Sequence, residues 1–387
     1  MILTNRLRTD FDGRDNCGAM RLTAALTVIL ISLIGCQGSR DGVQFQPKVD
    51  IVPSDWPAAL TPEPLLSTTQ PVSDIEVGVL LFDAGVDADD KRANAVLRRV
   101  ESSLLAAQLR DTLVESGQWG AVRVLPEPST VVALSLTGKI VHSDGLNLVL
   151  DVSADDSSGR NWLSQRYRGQ ASGAAYPVRP DRDPFSALYI RIANDLLSAM
   201  RLLTDVQRRQ LPQIAQIRYA QQLAPNAFSG YLVTQTGSLT LQRLPAKGDP
   251  MLARIERIRQ QEYLFIDTVD DQYVELLQSL KPTYDLWRQS TWEQADYLAD
   301  YQQRASQRQI KAEQGSFAAM QQVYSTYRSV KVQEQDLFAL AKGFGNEVEP
   351  TVLNADDQVF RLTGTLGSQY QEWRSILAQI FALESGI

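Results

Sequence analysis

Residues 73–203 combine short apolar runs with long periodic stretches, a pattern that predicts a small α/β domain. Residues 75–82 are mostly apolar or β-branched, as in a buried strand. In residues 93–116 apolar side chains recur every three or four positions, which predicts an amphipathic helix. Asp183 and Pro184 open a second predicted helix that reaches about residue 203. The predicted order is β-α-β-β-β-β-α, with the later strands at 122–125, 131–141, 146–152 and 161–170.

The rest of the chain is predicted to be mainly helical. Residues 204–250 contain scattered proline and glycine and are predicted to be an irregular connector with a small hairpin at 231–241. Residues 251–387 form a predicted helical domain whose first helix is broken or kinked at Pro282. A polar stretch then predicts a solvated helix or an antiparallel helical hairpin, and a last helix covers about 365–383. The predicted fold class is therefore α+β.

The amino-terminal region contains one short apolar segment. Arg21 precedes an apolar run from Leu22 to Ile34, and Gly35 and Cys36 follow the run. A run of about 13 residues is too short to span a hydrocarbon core, which needs roughly 20 residues. Residues 20–35 are therefore predicted to be a signal peptide that is removed from the mature protein.

The sequence Leu33-Ile34-Gly35-Cys36 resembles the lipobox of bacterial lipoproteins. The resemblance implies cleavage between Gly35 and Cys36 and a diacylglycerol thioether on the Cys36 sulfur. It also implies a further acyl chain, such as palmitate, on the new amino terminus. An Asp after the lipidated Cys commonly retains such proteins in the inner membrane. Gln37 stands there, so the resemblance implies a lipid anchor in the outer membrane, facing the periplasm.

Two segments flank the predicted signal peptide. Residues 1–19 contain three aspartates and no apolar run, so we expect a dispensable extension, with translation starting at Met20 rather than Met1. Residues 36–72 contain six prolines and are predicted to form an extended tether, partly polyproline II. At about 3.1 Å per residue this tether could reach on the order of 110 Å. It is either a stalk that carries the folded part away from the membrane or a passive linker.

The predicted order of strands and helices, behind a lipobox and a Pro-rich tether, is similar to that of several bacterial envelope lipoprotein domains. These include the curli secretion lipoprotein, the lipoprotein activators of penicillin-binding proteins, the auxiliary lipoproteins of lipid-transport ABC systems and the amino-terminal domain of TolB. The resemblance covers residues 73–203. It implies a non-enzymatic domain that docks onto a protein partner, and it assigns no binding residue.

Composition narrows the possible chemistry. The net charge of −7 argues against a nucleic-acid partner, which would favour a basic face. The chain has one histidine and two cysteines, of which Cys17 lies upstream of the predicted cleavage site. Zinc sites built on Cys and His need several such ligands, so we expect no metal of this kind and no cofactor. The chain also lacks a Walker A sequence and a Gly-x-Ser-x-Gly elbow.

Aromatic side chains provide the candidate partner-binding residues. Tyr284, Trp287, Trp292 and Tyr297 lie on a predicted helix, and Trp292 and Tyr297 fall outside its main apolar stripe. Tyr and Trp are favoured at interfaces, so Trp287, Trp292 and Tyr297 are candidate partner-binding residues. Packing between helices is the alternative. His142 lies at a strand end beside a turn and is expected to be a solvated side chain rather than a general base.

Three functions are compatible with these features. The first is a membrane-anchored periplasmic lipoprotein that acts as a non-enzymatic, partner-binding or scaffolding component of the cell envelope. The second is an accessory of lipid or glycan transport or assembly, which would need a deep apolar pocket or groove. The third is a carboxylate-based glycan hydrolase, which would need two carboxylates roughly 5–10 Å apart across a cleft. The sequence favours the first.

Overall fold

The computed structural model describes residues 53–67, 73–87, 90, 93–179, 182–235, 237–307, 350–355 and 358–386, with isolated residues between 321 and 339. The predicted β-α-β-β-β-β-α order and the α+β fold class are confirmed. The elements of this part are β1 (Val77–Leu80), α1 (Ala93–Ser116), β2 (Val122–Leu125), β3 (Leu134–Ser143), β4 (Asn147–Asp156), β5 (Asn161–Gln170) and α2 (Ser186–Arg201).

These strands form one five-stranded mixed sheet in the order β2-β1-β3-β4-β5. β1 pairs in parallel with β2 and β3, whereas β3, β4 and β5 pair as an antiparallel meander. The predicted turn at Asp144 joins β3 to β4, and the Asp144 carboxylate accepts hydrogen bonds from the backbone N–H groups of Leu146 and Asn147. β2 and β5 are therefore the two edge strands.

Both faces of the sheet carry apolar packing, because successive side chains of a strand point to opposite faces. On β1, Val77 and Val79 belong to the core formed with α1 and α2. Leu80, together with Leu125 of β2, belongs to a second core that includes residues of the later helices. The second core lies at the β1–β2 side of the sheet, so the outer face of β3, β4 and β5 is not covered by it.

The prediction of an irregular connector at 204–250 is wrong for its first half. Helix α3 (Asp205–Leu223) lies there, with Pro212 inside it. Thr204 and Gln207 form a reciprocal capping box at its start, which satisfies backbone N–H groups that the first turn leaves without partners. The predicted hairpin is confirmed as β6 (Leu232–Gln235) and β7 (Ser238–Leu241).

Helix α4 (Pro250–Gln307) continues through Pro282, so the predicted break there is wrong. Proline removes one backbone hydrogen bond from a helix, but buried Leu280 and Tyr284 hold the helix in place on both sides of Pro282. At 1.5 Å per residue α4 is about 87 Å long. After α4, an unpredicted hairpin of β8 (Thr351–Ala355) and β9 (Gln358–Leu362) precedes α5 (Leu366–Ser385), which matches the predicted last helix.

Helix α4 passes from the second core, around the β2 edge, to the α1 side of the sheet. Near its start Tyr263 donates to the carbonyl of Val131 (2.7 Å). Further along, Asp267 binds Arg123 of β2 (2.7 Å), and Tyr284 donates to the buried carboxylate of Glu101 on α1 (2.7 Å). The α4 helix therefore joins the predicted α/β region and the carboxy-terminal helices.

Further along α4, Arg288 anchors the helix to the segment before α2. Arg288 has a fully buried side chain, and its guanidinium binds Asp183 just before α2 at 2.8 Å. Asp183 also accepts from the backbone N–H of Phe185 (2.8 Å). It lies three residues before Ser186, where α2 begins, so the helix starts later than the prediction that Asp183 and Pro184 open it. A Cβ on Gly145 would lie 1.8 Å from the Arg288 carbonyl oxygen, so only glycine permits this approach.

Candidate partner-docking surface

The predicted lipidation and cleavage residues, Cys36 and Gly35, lie outside the described residues. The predicted anchor is therefore a property of the sequence alone. Within the described residues, the candidate surfaces for contact with another molecule are the aromatic residues of α4 and the outer face of β3, β4 and β5.

The aromatic candidates mostly pack inside the chain. Trp287 is only 7% exposed and stacks on Tyr284 with ring centroids 5.7 Å apart, between α4 and α1. Trp292 is half-buried and stacks on Tyr176 (5.6 Å). Tyr297 is also half-buried. Packing therefore accounts for Trp287, while a partner-binding role for Trp292 and Tyr297 stays a prediction.

Residues 53–67, the second half of the predicted tether, are docked on the domain as a strap. Leu60 donates its backbone N–H to the carbonyl of Arg168 on β5 (2.9 Å). Leu60 and Leu65 pack against the core beneath the sheet. Asn194 of α2 accepts from the backbone N–H of Leu66 (3.0 Å) and donates to Glu63 (2.8 Å). Residues 53–67 of the predicted tether therefore pack against the domain.

The strap begins over one end of the open sheet face. Its Trp56 ring lies 4.8 Å from the ring of His142 on β3 and 5.6 Å from the guanidinium carbon of Arg168 on β5. Both residues are in register with Val149 of β4, so Trp56 covers the end of these three strands. The His142 Nε2 atom also contacts the Asp144 carboxylate at 2.8 Å. His142 is therefore part of this packing and is only partly solvated.

Next to Trp56 the outer face of β3, β4 and β5 forms an open groove of about 640 Å³. Its lining is polar and comes from one strap residue and three strands: Asp55, Thr137, Gly138, Lys139, Asp151, Val152, Ser153, Ser164, Gln165 and Arg166. Lys139, Asp151 and Arg166 lie directly opposite one another in the sheet register. The groove is therefore a row of charged and hydroxyl side chains on a rigid sheet.

Arg166 organises the charges of this groove. It binds Asp151 through two hydrogen bonds (2.7 and 2.9 Å) and reaches Asp55 of the strap (2.7 Å). The hydrogen bonds from Arg166 lower the pKa of Asp151, and those same carboxylates raise the pKa of Arg166. Asp151 and Arg166 therefore stay charged near neutral pH. Lys139 pairs more loosely with Asp83 (3.5 Å).

One side chain of α2 makes three of the hydrogen bonds that hold the strap. Asn194 binds Leu66, Glu63 and the carbonyl of Pro64 (3.0 Å). We expect Asn194→Leu to free the strap, because an apolar side chain leaves the backbone groups of Leu66 and Pro64 without these partners, at about 1–3 kcal/mol. Limited chymotrypsin proteolysis should then cut within residues 53–67 about ten times faster.

Ser198→Ala is the matched control for this strap prediction. Ser198 lies one turn further along α2 and donates only to the carbonyl of Asn194 (2.8 Å), so its loss should leave cleavage of the strap unchanged. Equal cleavage rates in Asn194→Leu and the parent protein would show that the strap does not depend on this anchor.

No protein-family model matches the chain, and no curated protein matches it either. Within the described ranges, no three His, Cys, Asp or Glu side chains are grouped so as to hold a metal ion. None of the helices in the described part of the chain is long and apolar enough to cross a membrane. The geometry of the groove and of the strap is therefore the basis for the function proposed below.

Proposed function

We propose that the chain is a lipid-anchored lipoprotein of the bacterial cell envelope that binds a protein partner and acts as a non-enzymatic component. The observation that carries the anchoring part is the lipobox sequence ending in Cys36. Cleavage before Cys36 and lipidation of its thiol would place the protein at the periplasmic face of the outer membrane, since Gln37 follows. The partner-binding part rests on the open, polar face of β3, β4 and β5.

The docked strap gives the proposed anchor a defined reach. Residues 36–52 would connect the lipid to the start of the strap at Pro53, and a fully extended chain of this length spans on the order of 55–60 Å. This is about half the reach expected from the whole tether. The folded part would therefore work close to the membrane surface, with the Trp56 end of the sheet nearest to the anchor along the chain.

The groove favours docking over the two other functions. An accessory that carries lipid would need a deep apolar pocket, whereas this groove is open and lined by charged and hydroxyl groups. A glycan hydrolase needs one carboxyl group with a raised pKa as general acid. Asp55 and Asp151 both bind Arg166. Arg166 lowers the pKa of Asp151, whereas a general acid needs a raised pKa.

Site-specific photocrosslinking in cells tests the partner-binding part. A photoreactive residue at Thr137, which is exposed in the groove, should give one discrete crosslinked product. The same residue at Val114, which is 56% exposed on α1, is the matched control and should give none. The absence of any product from Thr137, or the same products from both positions, would contradict docking through this face.

A further inference from the structure

The outer edge of β5 carries unused backbone hydrogen-bonding groups. In an antiparallel pair, alternate residues direct both N–H and C=O away from the partner strand. Arg168 directs its carbonyl away from β4, because that carbonyl accepts from Leu60 of the strap (2.9 Å). By alternation, Ser164 and Arg166 do the same, and the alternation ends at Leu163, beyond which the β4–β5 register shifts. Among the described residues, their backbone groups make no hydrogen bond on this side.

The strap covers only one end of this edge. Its backbone hydrogen bond to β5 is at Arg168, and from there it leaves toward α2, where Leu66 meets Asn194. The other edge of the sheet is different, because β2 is contacted by α4 through Arg123 and Asp267. An uncovered strand edge is a template for pairing with another chain. The regular uncovered stretch from Leu163 to Arg166 is long enough to pair with about four residues, roughly 13 Å.

We infer that this edge binds an extended segment of a protein partner by strand addition, and that the segment carries basic side chains at alternate positions. The inference rests on the partner-binding part of the proposed function and names its surface. Backbone hydrogen bonds to Ser164 and Arg166 would supply affinity, and every second side chain of the segment would lie on the groove side of the sheet, beside these two residues.

The charge of the groove selects basic side chains. The charged groups that line the groove or pair with its lining are three carboxylates (Asp55, Asp83 and Asp151) and two cations (Lys139 and Arg166). Asp155, exposed beside Asn161 at the far end, adds a fourth carboxylate. Complementary charge across an interface fixes register and suppresses wrong partners. Lysine or arginine side chains of the bound segment would neutralise this excess of negative charge.

A second copy of the chain fits this edge less well. Antiparallel pairing of two β5 strands would bring two acidic grooves side by side, and like charges placed across neighbouring strands are destabilising. The whole chain also carries a net charge of −7, which disfavours close self-association.

Ser164→Pro tests the inference, with Ser164→Ala as its matched control. The N–H of Ser164 points away from β4, so proline there removes an edge donor without removing a hydrogen bond from the β4–β5 ladder. The probe is a synthetic peptide of about seven residues that alternates lysine with threonine or valine. We expect it to bind the parent protein and Ser164→Ala equally, and Ser164→Pro at least about tenfold more weakly. A peptide with glutamate in place of lysine should not bind.

Hydrogen exchange on the unchanged protein gives a second measurement that does not depend on how well Ser164→Pro folds. The lysine peptide should slow exchange at the amides of Ser164 and Arg166. Exchange that stays fast at these amides in the presence of bound peptide would overturn strand addition.

Three other results would also overturn the inference. One is equal binding of the lysine peptide to Ser164→Pro and Ser164→Ala, because affinity would then come from charge alone. Another is no binding to the parent protein at about 1 mM peptide. A third is a dimer in sedimentation that Ser164→Pro disrupts, which would make a second copy the occupant. If the Thr137 crosslink to a partner persists in Ser164→Pro, the proposed function stands and only the edge assignment fails.

Discussion

Cys36→Ser is expected to move the protein from the membrane fraction to the soluble fraction and to abolish its labelling by radioactive or alkyne-tagged palmitate. A thiol can form the diacylglycerol thioether and a hydroxyl cannot, so the substitution removes the anchor while changing one atom. Each buried methylene of an acyl chain contributes about 0.8 kcal/mol, so the loss of two or more acyl chains removes nearly all of the membrane affinity. Both effects are measured by fractionation and acyl labelling of cells that express the parent protein or Cys36→Ser.

Cys17→Ser is the matched control for the anchor. It changes the other cysteine of the chain, which lies upstream of the predicted signal peptide, and should leave both membrane association and labelling intact. Gln37→Asp should keep the label but shift the protein toward the inner membrane. Membrane association and acyl labelling that survive in Cys36→Ser would contradict lipidation at this residue.

Asp183→Ala is expected to lower the free energy of unfolding by about 3–5 kcal/mol, because it leaves the buried guanidinium of Arg288 without its carboxylate. The Arg288 side chain is 0% exposed, and within the described residues its Nε and Nη2 atoms have no hydrogen-bond partner. Its guanidinium carbon also lies 4.8 Å from the ring of Phe185 and 4.5 Å from the ring of Tyr284. Urea unfolding of the folded part measures the change.

The double variant Asp183→Ala with Arg288→Met tests whether the loss of stability comes from leaving the Arg288 charge buried without a partner. Replacing both partners of a buried pair by apolar groups is often nearly neutral, so the double variant should recover at least half of the stability that Asp183→Ala loses. A double variant no more stable than Asp183→Ala would show that the effect comes from the cap that Asp183 gives to the backbone of Phe185.

Much of the α/β region could be predicted because its local signals agree with its packing. The strand at Val122–Leu125 and the helix at Ala93–Ser116 have the predicted bounds, since their apolar periods match the faces that they bury. The scattered proline and glycine of residues 204–250 predict an irregular connector, although Thr204 and Gln207 carry the capping-box signal that begins helix α3. At Pro282, tertiary packing of α4 on α1 decides the outcome, and this packing is absent from any local pattern.

The candidate docking surface could be predicted only in part. Alternation along β4 and β5 indicates one apolar and one polar face, but it does not tell which part of the polar face other helices cover. Residues 53–67 form neither a helix nor a strand, as their prolines indicate. The docking of this segment depends on Asn194, which is more than a hundred residues away in the sequence. It also depends on the position of β5 at the edge of the sheet, which only the strand order reveals. Such long-range pairings leave no local signal.

Mass spectrometry of the amino-terminal peptide of the protein, purified from membranes, decides whether Cys36 carries the anchor. We expect a mature chain that begins at Cys36, with the mass of a diacylglyceryl group on its sulfur and a further acyl chain on its amino group. A chain that retains residues 20–35, or an unmodified cysteine at position 36, would refute lipid anchoring at this residue.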